Sequence, residues 1–197
     1  AVVYQIYPLG LCGAPLQNDG DQAQAGEHRI LRVLDWVEHI KRLGATCVLF
    51  NPLFESDAHG YDTRDYNKVD CRLGTNDDLR QVCAALHAAG IKILFDGVFN
   101  HVSSRHPFFQ DVLARGRQSR YYRWFYDLPE HPRLPAEGEL PEYACFSYVA
   151  DMPKTDLSCP EACAYFCEVG RYWIETFDID GWRLDVADEL PDGFLTC

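Results

Sequence analysis

Apolar positions along the chain fall into short continuous runs separated by stretches with a helical repeat. Residues 1–7 read as an opening strand that ends at Tyr7-Pro8, and 9–27, with Gly10, Gly13, Gly20 and Gly26, read as a loop. Ile30, Val33, Val37 and Ile40, with Leu34 beside them, keep helical spacing as far as Gly44, a suitable C-terminal cap. Cys47-Val48-Leu49-Phe50 is a short buried strand that leads into a polar loop over 51–76. Thr75-Asn76-Asp77-Asp78 has the form of a capping box, and Leu79, Val82, Cys83 and Leu86 give the helix behind it an apolar face that stops at Gly90. Residues 91–95 form a third strand with Asp96 at its end. Ser158-Cys159-Pro160-Glu161 starts another helix with a second capping box, and Cys163, Phe166, Cys167, Gly170, Trp173, Ile174 and Phe177 form its apolar stripe. A fourth strand spans 179–186.

Residues 101–157 break this rhythm. They are rich in proline, tyrosine and phenylalanine and hold no sustained period. A structureless loop of that length does not suit a compact domain, so the segment is expected to be a small inserted subdomain. The divisions are then 1–100, an insertion at 101–157, and 158–197.

Alternation of strands and helices implies a parallel sheet in an α/β fold. Two architectures compete, an open doubly wound sheet and a barrel of eight strand–helix units. No Gly-x-Gly-x-x-Gly follows the first strand, which weighs against dinucleotide binding. In a barrel the site lies at the C-terminal ends of the strands, where Asp96, Asn100, His101 and Asp185 fall.

The 197 residues are 47% hydrophobic and 13% aromatic, enough for one substantial core. The formal charge is -12 with no basic cluster, so a nucleic-acid partner is not expected. No apolar run is long enough to span a bilayer, and no basic segment opens the chain as in a signal peptide. Nine cysteines, an odd count, point to free thiols in a reducing, cytoplasmic setting. Cys159, Cys163 and Cys167 recur every four residues, which suits small core-facing thiols better than a zinc site.

Three segments carry candidate chemistry. In Gly181-Trp182-Arg183-Leu184-Asp185 an arginine and an aspartate sit two residues apart on a strand, so both point the same way. An arginine beside a carboxylate favours its charged form, and an oriented carboxylate is what covalent glycosidic chemistry uses. A structural ion pair accounts equally well for the pair taken alone. Asp96-Gly97-Val98-Phe99-Asn100-His101 puts a carboxylate, an amide and an imidazole at one strand mouth, although such residues also make plain turns. In His59-Gly60-Tyr61-Asp62-Thr63-Arg64-Asp65-Tyr66, Gly60 allows a tight backbone approach and Tyr61 offers an aromatic face to a sugar ring. Tyr66 reads as structural.

Taken together, these segments make the chain resemble the N-terminal half of the α-amylase family, glycoside hydrolase family 13. The Asp96–His101 hexapeptide is similar to the family's first conserved region, Gly181 to Glu189 to its second, and His59 to Tyr66 to the loop lining the cleavage subsite. Met152-Pro153-Lys154 resembles the signature of neopullulanases and cyclomaltodextrinases, but continues as Thr155-Asp156 instead of Leu-Asn. The resemblance implies a (β/α)8 barrel, first half only, with 101–157 as the B domain after the third strand. It implies retaining hydrolysis of α-glucans with Asp185 as nucleophile and Arg183 holding it. Tyr61 would stack on the sugar, His101 would bond its hydroxyls, and Asp62, Asp188 and Glu189 would add substrate contacts. Asp96 would be structural, as would Asn100, whose position in some relatives helps to hold calcium. No other cofactor is implied.

The acid/base glutamate expected at a fifth strand and an aspartate at a seventh have no counterpart up to Cys197, and Glu189 lies too near Asp185 to replace them. A barrel needs about 250 residues. The chain is therefore expected to be a fragment, inactive and poorly soluble alone. A transglycosylating relative, a non-catalytic carbohydrate-binding or partner relative, and an unrelated barrel hydrolase with a metal at Asp96, His101 and Asp185 remain alternatives. The partners implied are an α-glucan, maltooligosaccharide or cyclodextrin, with no membrane, and a homodimer of the full-length protein.

Overall fold

A computed structural model describes residues 1–20 and 27–196. The elements run β1 (Val3–Ile6), α1 (Pro8–Leu11), a 3-10 helix (Arg29–Trp36) continuous with α2 (Val37–Arg42), β2 (Cys47–Phe50), β3 (Phe54–Ser56), β4 (Thr63–Val69), α3 (Asn76–Ala88), β5 (Lys92–Gly97), α4 (Pro107–Arg115), α5 (Pro160–Phe177), β6 (Gly181–Leu184) and α6 (Asp192–Leu195). Short 3-10 turns fill the stretch between α4 and α5.

Among the described residues, β1, β2, β5 and β6 form one parallel sheet in chain order. Val48, Phe50, Ile93 and Phe95 are fully buried, as expected where helices cover a parallel sheet and strands read as continuous apolar runs. Ile40, Leu79, Val82, Leu86, Phe166, Trp173 and Phe177 belong to the same core. The capping box at α3 forms as its sequence predicts: Thr75 accepts from the Asp78 N–H and Asp78 reaches back to the Thr75 N–H.

Four local expectations are corrected. The loop over 9–27 begins with the turn of α1, and its residues 21–26 lie outside the described residues, as does Cys197. The loop over 51–76 contains the antiparallel hairpin β3–β4. Its buried positions Thr63, Tyr66 and Val69 come every third residue and the pairing shifts register twice, so no period of two is visible in the sequence. At α5, Ser158 makes no cap; its hydroxyl bonds Asp156, and Pro160 opens the helix after Cys159. Ile174 is 45% exposed, and Ala162 and Val169 take the inner face with Phe166, Trp173 and Phe177. Cys12, Cys47, Cys71, Cys83, Cys145, Cys159 and Cys163 are free thiols, whereas Cys167 is disulfide-bonded, against the expectation of free thiols throughout.

The hairpin is fastened at both ends. Tyr66, fully buried, donates to the carbonyls of Val98 (2.7 Å) and His101 (3.1 Å), and Trp173 donates to the Tyr66 carbonyl (2.6 Å). At the other end Arg72 pairs with Asp70 (2.6 Å), and neither side chain has exposed surface. The same guanidinium donates to the carbonyls of Pro15, Leu16 and Ala58. These bonds hold the 57–62 tip over the ends of β2 and β5. No described helix is long and apolar enough to cross a membrane.

Candidate active site

The register of β5 and β6 sets Asp96 directly against Arg183. Arg183 Nη1 donates to Asp96 Oδ1 at 2.8 Å and to Asp185 Oδ1 at 2.6 Å. One guanidinium therefore bridges two carboxylates from adjacent strands. Asp185 is further fixed by its N–H, which donates to the Gly97 carbonyl (3.1 Å). The chain then turns sharply at Val186, whose φ of 50° is unusual for a β-branched residue. Burial pushes the Asp96 carboxyl up, and the Arg183 and Asn51 bonds oppose that. Its bond to Asp96, then that to Asp185, holds the guanidinium of Arg183 charged beyond its ordinary range.

Asn51, the first residue after β2, extends the network. Its Nδ2 donates to the Tyr61 hydroxyl (2.9 Å) and to Asp96 Oδ2 (3.2 Å), and its Oδ1 accepts from Gln5 Nε2 on β1 (2.7 Å). Polar side chains from all four parallel strands or their ends thus meet at one mouth. Tyr61 is carried there by the hairpin tip. Gly60 has φ 94°, and a Cβ on it would lie 3.0 Å from the Pro52 carbonyl oxygen, so this approach requires glycine. Asp62 is spent on the tip itself: its carboxylate accepts from the N–H groups of Ala58 (2.8 Å) and Gly60 (3.2 Å).

His101 is buried, and Nε2–H donates to the Tyr61 carbonyl (3.0 Å). That leaves Nδ1 as the acceptor facing Asn100 Nδ2 (3.4 Å). Burial holds the imidazole below its ordinary range. A cavity of about 300 Å3 opens beside these groups, lined by His59, Tyr61, His101, Phe146, Met152 and Asp185. Asp188 and Glu189 are exposed, and Glu189 is tied to Lys154 (2.6 Å).

Comparison with known proteins decides the relationship. Residues 16–194 match the model of the α-amylase catalytic domain. This chain belongs to the α-amylase family. It is 38% identical over 205 residues to a maltogenic α-amylase of Bacillus acidopullulyticus, covering 98% of this chain and 34% of that protein. It is 36% identical over 210 residues to neopullulanase 2 of Thermoactinomyces vulgaris, covering 98% and 35%. Among solved structures, a cyclomaltodextrinase superposes with a TM-score of 0.83 at 33% identity, over 98% of this chain and 35% of that one. A cyclic α-maltosyl-(1→6)-maltose hydrolase of Arthrobacter globiformis, in complex with that sugar, superposes with 0.82 at 31% identity, over 98% and 46%. The chain spans about a third of the length of the curated relatives named here.

Some α-amylase family members hold calcium near the position of Asn100, but the donors here do not fit that ion. The Asn100 carbonyl accepts from the Thr155 N–H and its amide faces His101, whereas calcium takes six to eight oxygens. Asp96, His101 and Asp185 do not converge on a metal either. Among the described residues, the one group of three such ligands within reach of one ion is Glu55, Asp70 and Cys71. Its carboxylates are already held by Arg64, Lys68 and Arg72.

The structure brings Asp185, Arg183, Asp96, Tyr61 and His101 together, keeps Asp62 and Asn100 behind them, and leaves Asp188 and Glu189 at the rim. Sequence reasoning missed Gln5, Asn51, Phe146 and Met152. A polar residue just past an apolar strand could have flagged Asn51; nothing in the sequence pattern flags Phe146.

Proposed function

We propose that this chain is the first half of a (β/α)8 catalytic barrel of an α-glucan glycosidase. Domain 1–100 supplies the first three barrel strands, 101–157 is the inserted B domain, and 158–197 carries the third barrel helix and fourth strand. The unreversed strand order β1-β2-β5-β6 supports a barrel over a doubly wound sheet, in which the order reverses. The outer edges of β1 and β6 have no strand partner among the described residues, as half a closed sheet requires. The unpaired, buried Trp182 N–H beside β6 agrees with that.

The observation that carries the chemical reading is Arg183 bridging Asp96 and Asp185 at the edge of the Tyr61–His101 cavity. Asp185 attacks the anomeric carbon, the C–O bond to the leaving sugar breaks, and a glycosyl ester forms on Asp185. Arg183, anchored on buried Asp96, orients the attacking oxygen. Tyr61 stacks on the sugar ring. Water then cleaves the ester with retention of configuration. The acid/base carboxyl comes from outside the described residues, because Glu189 is exposed and paired with Lys154. The substrates are linear maltooligosaccharides or cyclodextrins, as the names of the relatives suggest. A cytoplasmic setting agrees with the intracellular maltogenic amylase of Bacillus subtilis, 38% identical over 163 residues. Dimerisation of the full-length protein belongs to the same reading.

The test is to treat the full-length protein with a fluorinated α-glucosyl fluoride and map the adduct by mass spectrometry. A glycosyl ester on Asp185, lost in Asp185→Asn, supports the proposal. A label elsewhere, or turnover of maltoheptaose that survives Asp185→Asn, overturns it.

A further inference from the structure

A second aromatic side chain borders the 300 Å3 cavity. Phe146 lines it together with Tyr61, His101, Met152 and Asp185. Its ring lies on the His101 imidazole with centroids 4.8 Å apart and planes 26° apart. Phe146 is only partly buried, so ring surface remains uncovered.

The backbone that presents this ring is strained. Ser147 (φ 48°, ψ 35°) and Tyr148 (φ 62°) follow each other in the left-handed region. Residues other than glycine enter that region as single positions, since the Cβ crowds the carbonyl. Such backbone persists where the surroundings enforce it, and it clusters at ligand-contacting segments. Here the enforcement is visible. The Phe146 N–H donates to the Met152 carbonyl, Val149 N–H to the Phe146 carbonyl, and Met152 N–H to the Val149 carbonyl, each at 2.9 Å. Cys145 is bridged to Pro153 at the neck of the same turn. These bonds fix where the turn begins and ends. The extra length is absorbed by the two left-handed residues, and Tyr148 stands 83% exposed.

We propose that Phe146 is a specificity-determining residue: it stacks against the apolar C–H face of a glucosyl unit of an α-glucan held beside Tyr61 and Asp185. This rests on the α-glucan reading above. The aromatic face supplies the contact, and the packing on buried His101 sets the plane of the ring before the sugar arrives. The sugar is then met by aromatic groups from two separate segments, the hairpin tip and the 146–148 turn.

The experiment compares Phe146→Ala, Phe146→Leu and Phe146→Tyr in the full-length protein by steady-state hydrolysis of maltoheptaose, with circular dichroism as a check on folding. Phe146→Ala and Phe146→Leu are expected to lower kcat/KM about three- to tenfold, mainly through KM, and Phe146→Tyr to stay within about twofold of the original. Leucine keeps apolar packing on His101 but offers no ring. Full activity in Phe146→Leu would therefore reduce Phe146 to a packing residue and overturn the inference, as would an unchanged Phe146→Ala. If the unsubstituted protein neither binds nor cleaves maltoheptaose, the α-glucan reading itself fails, and that result is distinct from either.

Discussion

Arg183 and Asp96 stand opposite each other in register on neighbouring parallel strands, joined by a 2.8 Å hydrogen bond. The Asp96 side chain has no exposed surface, while that of Arg183 is 44% exposed. Removing the arginine leaves a buried carboxylate with only Asn51 and Tyr61 as donors. Arg183→Leu is expected to lower stability by about 1–3 kcal/mol, less than for a wholly buried pair because water reaches the guanidinium site. Adding Asp96→Asn should recover part of the loss. Urea denaturation of the single and double variants measures both. An Arg183→Leu variant as stable as the original would show that the bridge orients Asp185 without supporting the fold.

Arg72 and Asp70 form the more deeply buried pair. Arg72 Nε and Nη2 engage both carboxylate oxygens at 2.8 and 2.6 Å, and Ser56 adds donors to Asp70. Breaking such a pair from one side is expected to cost about 3–5 kcal/mol. Arg72→Leu should therefore reduce the denaturation midpoint sharply, and Arg72→Leu combined with Asp70→Asn should be the more stable of the two.

The parallel sheet and its helices were legible because their apolar periods are long and their stop signals are local: glycines 44 and 90 after helices, the capping box at Thr75. Asp96, Arg183, Asp185, Tyr61 and His101 were legible through motif order. What stayed hidden depends on contacts distant in sequence. The hairpin over 54–69 is defined by Tyr66 and Trp173, 107 residues apart. Asn51 becomes a site residue only when β1, β5 and the hairpin tip converge on it. Phe146 sits in a segment without any period, where tertiary packing alone decides which aromatic ring faces the cavity.

His106 gives a pH prediction. Burial pushes its imidazole from 6.5 down to about 4. The folded protein keeps the ring neutral where the unfolded chain binds a proton, so protons favour unfolding between those values. The stability is fully present above pH 6.5 and is lost as pH falls toward about 4, by about 3 kcal/mol at most. His101, also pushed down by burial, acts with the same sign. His106 Nδ1 accepts from the Phe108 N–H at the start of α4, and asparagine can keep that bond. The difference in stability between His106→Asn and the original protein should therefore shift in favour of the variant as pH drops from 7 to 4. Parallel curves over that range would rule out the assignment.

Asn51 tests whether the polar network at the strand mouth acts as a unit. It is the donor shared by the Tyr61 hydroxyl and Asp96 Oδ2, and Gln5 fixes its amide so that Nδ2 faces both. Asn51→Ala removes both bonds and is expected to lower stability by about 1–2 kcal/mol, the scale of losing donors to a buried carboxylate. Gln5→Ala leaves Nδ2 in place but frees the amide to turn, so it should cost less, about 0.5–1 kcal/mol. Because Gln5 reaches the network only through Asn51, the two effects should not add. In a double-mutant cycle, Gln5→Ala should have almost no effect once Asn51 is alanine. Additive losses would mean that Gln5 supports β1 by a separate route and that the mouth is not a single hydrogen-bonded unit.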